Sequence, residues 1–183
     1  MENLTKIKEN LYYLIKKRAF FEKKVRLSSG RISNYYFDLR RITLSSEGSY
    51  LIAELVLDFI RKRKFSTIGG PTLGADPILG AILLLSYFKD LSLKAFIVRK
   101  SIKLHGLMRQ IEGPILTRND KILLIDDVAT SGSSLVESAK VLRDKNIKVD
   151  SAFVILDRQE GAEKNLKRIG IKLYSIFKVK DFK

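Results

Sequence analysis

Lys121-Ile-Leu-Leu-Ile-Asp-Asp-Val-Ala-Thr-Ser-Gly-Ser-Ser-Leu135 is the stretch that decides the fold. An apolar run, Ile122 to Ile125, leads straight into Asp126 and Asp127, then into a small hydroxyl-rich loop, then into a helix predicted from Ser133. Four apolar residues without alternation read as a strand buried on both faces, as in a parallel sheet. In an open α/β sheet, ligands bind at the carboxyl ends of the strands. The loop Thr130-Ser131-Gly132-Ser133-Ser134 would present backbone N–H groups and hydroxyls at a helix N-terminus, an arrangement suited to a phosphate dianion. Gly132 permits close backbone approach. Asp126 and Asp127 would repel that phosphate, so they need another task, and accepting hydrogen bonds from sugar hydroxyls is a natural one. Neither G-x-x-x-x-G-K-[ST] nor G-x-G-x-x-G occurs in the chain.

The same pattern extends outward. Short apolar runs at Thr67–Gly69, Lys94–Val98, Ile122–Ile125, Ala152–Leu156 and Lys172–Phe177 alternate with helices predicted from Asp76, from Ser133 and near Ala162. Strand–helix–strand repetition implies right-handed crossovers and a doubly wound, mostly parallel five-stranded sheet with flanking helices. Upstream, Leu4, Ile7, Leu11, Leu14 and Ile15 recur at helical spacing over residues 3–18. Short strands are expected at Val25–Leu27 and Asn34–Leu39. Ser45 is the expected N-cap of a helix with an apolar stripe of Leu51, Ile52, Leu55, Val56, Phe59 and Ile60. Residues 1–40 precede the alternating pattern and are expected to form an N-terminal hood. Residues 41–183 form the α/β core of what is a single domain overall.

Composition narrows the chemistry. The 183 residues include no Cys and one His, so a disulfide scaffold, a thiolate metal site, a cysteine nucleophile and a His-pair mechanism are excluded. The N-terminus is interrupted by Glu2, Lys6, Lys8 and Glu9, unlike a signal peptide, and the apolar stretch Pro77 to Phe88 is too short to span a bilayer. A cytoplasmic, soluble chain with no membrane partner is the expectation. The net charge of +15 favours an anionic partner without choosing among nucleic acid, lipid and phosphorylated metabolites. Nucleic acid is disfavoured, because aromatics are not interleaved with basic residues and no recognition helix is visible.

The strand, acidic pair and Thr/Ser/Gly loop at 121–135 resemble the fingerprint of the type I phosphoribosyltransferases. Three further segments resemble orotate phosphoribosyltransferases in particular: Leu27 to Arg40, Val98 to Gly106 followed by Ile111 to Gly113, and Ile155 to Gly161. All four run in family order across about residues 20–165. The resemblance implies transfer of ribose 5-phosphate from phosphoribosyl pyrophosphate (PRPP) to orotate, with Mg²⁺ as cofactor. It implies a homodimer in which a lid segment acts on the neighbouring subunit. It assigns catalytic roles to Lys103, His105, Asp126 and Asp127. PRPP contacts are assigned to Arg99, Lys100, Lys103, His105, Asp126, Asp127, Val128, Ala129, Thr130, Ser131, Gly132, Ser133 and Ser134. Orotate contacts are assigned to Tyr35, Tyr36, Thr130 and Arg158. The magnesium is carried mainly by ligand oxygens, with Asp126 and Asp127 as its protein neighbours.

These assignments make chemical sense. Orotate is a flat anion, for which tyrosines provide an aromatic wall and an arginine fork a bidentate clamp. The other reading of Arg158 is a surface salt bridge with Glu160 or Asp157. Cations at 99–105 would stabilise charge growing on a pyrophosphate leaving group. The chain also departs from the family pattern. Ser28 stands where many members have lysine, and Thr72 and Leu73 occupy a pyrophosphate loop, Gly69 to Gly74, that usually carries another. Leu107-Met108-Arg109-Gln110 replaces a glycine-rich lid sequence. Two rivals are a phosphoribosyltransferase for a purine or uracil, which has no use for an arginine clamp at 158, and a non-catalytic nucleic-acid-binding regulator with this fold.

Overall fold

A computed structural model describes residues 3–26, 32–100 and 110–182. Helix α1 (Leu4–Arg18) is followed by four two-residue strands, β1 (Phe20–Phe21), β2 (Val25–Arg26), β3 (Ile32–Ser33) and β4 (Tyr36–Phe37). Next come α2 (Arg40–Thr43), α3 (Ser46–Arg63), β5 (Thr67–Pro71), α4 (Asp76–Phe88), β6 (Lys94–Val98) and β7 (Ile111–Glu112). The chain continues through β8 (Ile122–Ala129), α5 (Ser133–Arg143), β9 (Ser151–Asp157), α6 (Ala162–Arg168), β10 (Lys172–Lys178) and a final 3₁₀ turn, Val179–Phe182.

The central sheet has the order β10-β9-β8-β5-β6-β7. Its first five strands are parallel, and β7 pairs antiparallel with β6. The doubly wound, mostly parallel architecture matches the expectation, but the sheet has six strands rather than five. Two residues are too few to show any periodicity, so β7 leaves no mark in the sequence. Strand β8 also runs further than its apolar run, through Asp126 and Asp127 to Ala129.

The sheet is buried on both faces, which explains the missing alternation. Leu123 and Ile125 point into one hydrophobic cluster with α1, α3 and α4, while Ile122 and Leu124 point into the other with α5 and α6. Strand β9 divides likewise, with Phe153 and Ile155 on one side and Ala152 and Val154 on the other. Asn3 caps α1 by accepting from the Thr5 N–H, and Ser45 caps α3 by accepting from the Gly48 N–H, as expected from its position. The basic run Arg61 to Arg63 sits in the last turn of α3, where cations favour the negative end of the helix dipole.

The first forty residues divide into two parts. Ile7, Leu11, Leu14 and Ile15 of α1 are buried in the same cluster as Leu51, Ile52, Val56 and Ile60 of α3. After α1, the chain forms two small antiparallel ladders, β1 with β4 and β2 with β3. The Phe20–Phe37 pair in the first ladder packs at a ring distance of 4.9 Å. This segment carries Tyr35 to Arg158 at the end of β9.

Candidate active site

The chain leaves β5 toward β6 on one side and returns through β8 toward β9 on the other, so the strand order reverses between β5 and β8. A crevice at the carboxyl ends of the strands is expected at such a reversal. A cavity of 580 Å³ opens there, with Asp126, Asp127, Thr72, Gly74, Lys100 and Ser134 in its walls. The β5–β8 ladder ends at Leu124, so the continuation of β8 has lost its partner on that side. Carboxylates take over: Asp126 Oδ1 accepts from the Asp127 N–H at 2.9 Å, and Asp127 Oδ1 accepts from the Val128 N–H at 2.7 Å.

Both acids are held above the ordinary carboxylate range. Burial is the main cause for Asp126, followed by the neighbouring Asp127 charge, and its pKa is raised well above 3.8. Burial also raises Asp127, against hydrogen bonds led by that from the Val128 N–H. The Arg40 charge pulls both back toward ionisation. The site therefore holds two under-neutralised acids that gain from hydroxyl donors or cations.

One wall is the turn after β5. Thr72 donates its N–H to the Val98 carbonyl at 3.2 Å and its hydroxyl to Asp76 Oδ2 at 2.7 Å. The Thr72–Leu73 peptide is cis. A Cβ on residue 74 would lie 2.1 Å from Asp126 Oδ1, so only glycine lets this turn press against the carboxylates. The N–H groups of Leu73 and Gly74 donate to nothing among the described residues.

The opposite wall is the start of α5. Gly132 takes a left-handed conformation at φ 75° and has no side chain to cap the helix, and Ser131 Oγ accepts only a long bond of 3.4 Å from the Ser133 N–H. Asn165 of α6 donates to the Ser131 carbonyl at 3.0 Å and fixes the loop from behind. Thr130, Ser131, Ser133 and Ser134 surround an uncapped helix start, the arrangement expected for a phosphate. Val128 and Ala129 lie on β8 rather than in a loop, and Ala129 is buried.

The aromatic side is only partly as expected. The Tyr35 ring lies 5.0 Å from the Arg158 guanidinium. Arg158 leaves the end of β9, and its N–H donates to the Ala129 carbonyl at 2.9 Å, which sets it beside Thr130. Its side chain is 4% exposed and its Nε donates to Glu160 Oε1 at 2.8 Å. The ion pair with Glu160 is thus real, but it is buried and orients the fork. Tyr36 lies on the exposed face of β4, with Phe37 turned into the core, and makes no ring contact among the described residues. Arg99 binds the Gln110 carbonyl through its N–H at 2.9 Å and pairs with Glu112 at 3.6 Å. Lys103 and His105, like Ser28, lie outside the described residues.

Arg40, Asp76, Glu112 and Asn165 are site or supporting residues that sequence reasoning missed. Arg40 and Glu112 were signalled only by lying in motif-like segments, Leu27 to Arg40 and Ile111 to Gly113, and the others by nothing local. Among the described residues no three His, Cys, Asp or Glu side chains could hold a metal ion, and no helix is long and apolar enough to cross a membrane.

No protein-family model matches the chain. Curated relatives do: the orotate phosphoribosyltransferase of Aquifex aeolicus is 41% identical over 177 residues, covering 95% of this chain and 96% of that protein. Among solved structures, Mycobacterium tuberculosis orotate phosphoribosyltransferase with Fe(III) dicitrate superposes with a TM-score of 0.81 at 33% identity, over 96% of this chain and 98% of that one. The same enzyme in complex with PRPP gives 0.76 at 26% identity, over 97% and 92%. Carboxylates at a strand-order reversal, an uncapped helix start beside them and an arginine one strand over are thus features of a chain that belongs to the orotate phosphoribosyltransferase family, enzymes of pyrimidine biosynthesis.

Proposed function

We propose that the chain transfers ribose 5-phosphate from PRPP to orotate, giving orotidine 5′-phosphate and pyrophosphate. One observation carries the assignment of roles: two phosphate-sized sets of donors, at the start of α5 and at Thr72–Gly74, flank a single carboxylate pair in one cavity. A ribose bearing a 5-phosphate at one end and a diphosphate at the other spans such a site. Asp126 and Asp127 accept hydrogen bonds from its 2- and 3-hydroxyls. Arg158, oriented by Glu160 and Tyr35, clamps the orotate carboxylate beside Thr130.

The bond from the anomeric carbon to the pyrophosphate oxygen breaks through an oxocarbenium-like transition state, and the orotate ring nitrogen bonds in its place, its proton leaving to pyrophosphate or solvent. Positive charge grows on the sugar between the two carboxylates while negative charge grows on the leaving group near Arg99 and Lys100. Lys103 and His105 add donors there, and closing the segment over the site excludes the water that would hydrolyse the sugar. The oxygen donors fit a magnesium ion held indirectly: Asp126 and Asp127 would hold it through waters, and it would neutralise diphosphate charge.

The same reading includes a homodimer. Helix α4 carries no charged residue after Asp76, yet Leu84, Tyr87 and Phe88 are 63%, 79% and 73% exposed on one face. A helix apolar all round is normally covered, and a second copy would do so. Sedimentation of Leu84→Arg tests this, with dissociation expected. Mixing Lys103→Ala with Asp127→Asn protein tests the shared lid, because hybrid dimers regain activity that neither variant has alone.

The decisive assay is orotate consumption with PRPP, with and without Mg²⁺. Orotate should be used and adenine and uracil ignored, and preference for either of those bases would refute the assignment. Lys103→Ala should lower turnover sharply with the fold intact.

A further inference from the structure

We infer that Arg40 is a further cation of the diphosphate end of the cavity, standing in for the lysines absent at positions 28 and 73. The inference rests on the PRPP reading above and adds a residue to it.

Arg40 opens the short helix α2, and its neighbours Leu39 and Ile42 are 2% and 0% exposed. Its backbone is therefore anchored in the core while its side chain is exposed and lines the cavity. The next residue, Arg41, is committed elsewhere: its Nε lies 3.2 Å from Asp38 Oδ2, and its guanidinium lies 4.8 Å from the Phe21 ring. Arg40 has no ion pair among the described residues. Arg99, on another wall, is already partnered by Glu112.

The charge balance makes the point quantitative. The described charges lining the cavity are Arg40, Arg99 and Lys100 against Glu112, Asp126 and Asp127. That balance is neutral before a diphosphate arrives. At the Thr72–Gly74 turn the wall offers the free amides of Leu73 and Gly74 but no cation among the described residues, and Leu73 is 65% exposed on the same cavity that Arg40 lines. Arg40 lines the same cavity as Asp126, Asp127 and the Thr72–Gly74 turn, and its charge acts on both carboxylates. A guanidinium can bridge a carboxylate and a diphosphate oxygen at once, because it has five donors in a rigid fork.

The test is the variant Arg40→Gln, assayed for turnover and for binding of inorganic pyrophosphate by titration calorimetry. The expected result is a rise of about tenfold or more in KM for PRPP and in the Kd of pyrophosphate, the size of a charge-assisted hydrogen bond. The KM for orotate should stay within about twofold, well short of a tenfold step, because Arg158 rather than Arg40 holds the orotate end. Adding Leu73→Lys to Arg40→Gln should restore most of the loss, because it returns a cation to the same space. A structural role would lower affinity for both substrates and would not be rescued at position 73. Unchanged PRPP and pyrophosphate affinity in Arg40→Gln, or failure of Leu73→Lys to rescue, overturns the inference. If Arg40→Gln melts lower than the parent, Arg40→Lys carries the test, with an intermediate pyrophosphate affinity expected and a full loss overturning the inference. Failure of the parent protein to bind PRPP or pyrophosphate at all would instead overturn the PRPP reading.

Discussion

Strand β8 has a carboxylate just before one end and a carboxylate pair near the other, and the two ends are treated oppositely. Asp120 lies at the amino ends of the parallel strands. It pairs with Lys94 at 2.6 Å and accepts from Thr67 Oγ1 at 3.0 Å and from the N–H and hydroxyl of Thr117 at 2.6 and 3.1 Å. Burial pushes its pKa up, but these hydrogen bonds together hold it down to about 2. Asp126 and Asp127 accept from adjacent backbone N–H groups, share a side-chain hydrogen bond with each other and are raised by burial. Where the strands need tying together, the fold saturates its acid. Where a ligand is to supply the partners, it leaves the acids under-satisfied and stores a cost to stability.

The largest effect that could break this contrast comes from Asp127→Asn. Turnover should fall by at least about a hundredfold, roughly 2.7 kcal/mol of transition-state stabilisation, while the melting temperature at neutral pH rises. A fall in both would mean that the pair is structural. Next in size is Arg158→Ala, which should raise the KM for orotate about tenfold or more through loss of a charged clamp. Steady-state kinetics should show little change in the KM for PRPP. Asp120→Ala sharpens the other side: Lys94 and the Thr117 N–H lose their acceptor, the protein is destabilised by about 1–3 kcal/mol, and kcat is unchanged in assays below the melting transition.

The smallest effect is in pH dependence, followed by denaturant unfolding. Asp120 binds a proton less readily folded than unfolded, so its contribution is present above pH 3.8 and is lost as pH falls toward 2. Asp126 and Asp127 bind a proton more readily folded than unfolded. Their ionisation costs stability as pH rises from 3.8 through their raised folded values. The stability advantage of Asp127→Asn should therefore grow with pH above 3.8 and vanish below it. An advantage independent of pH would point to repacking rather than to charge.

Much of the fold was legible locally. The apolar runs at Lys94–Val98 and Ile122–Ile125 marked strands because burial on both faces removes polar residues, and α1 and α3 were marked by their stripes. Strands β2 and β4 fall within the short strands expected at Val25–Leu27 and Asn34–Leu39, whereas β1, β3 and β7 were not legible, because pairs of residues acquire their conformation from a partner strand rather than from their own pattern. The extension of β8 through Asp126 to Ala129 was hidden for a different reason. Consecutive aspartates suggest a loop, and only the neighbouring β9 makes them strand.

The site shows the same division. Asp126 and Asp127 follow the apolar run of β8, and the loop to Ser134 and Arg158 follow the ends of β8 and β9, so chain order alone placed them on the ligand side of the sheet. That much the sequence determined, since parallel strands joined by helices must all present their carboxyl ends to one edge. Tertiary structure alone decided that Arg40 lines one cavity with the carboxylates, that Tyr35 rather than Tyr36 stacks on Arg158, and that Gly74 abuts Asp126. Those contacts join segments far apart in the chain, and charge, ring and backbone pairings over such spans depend on packing that no local pattern encodes.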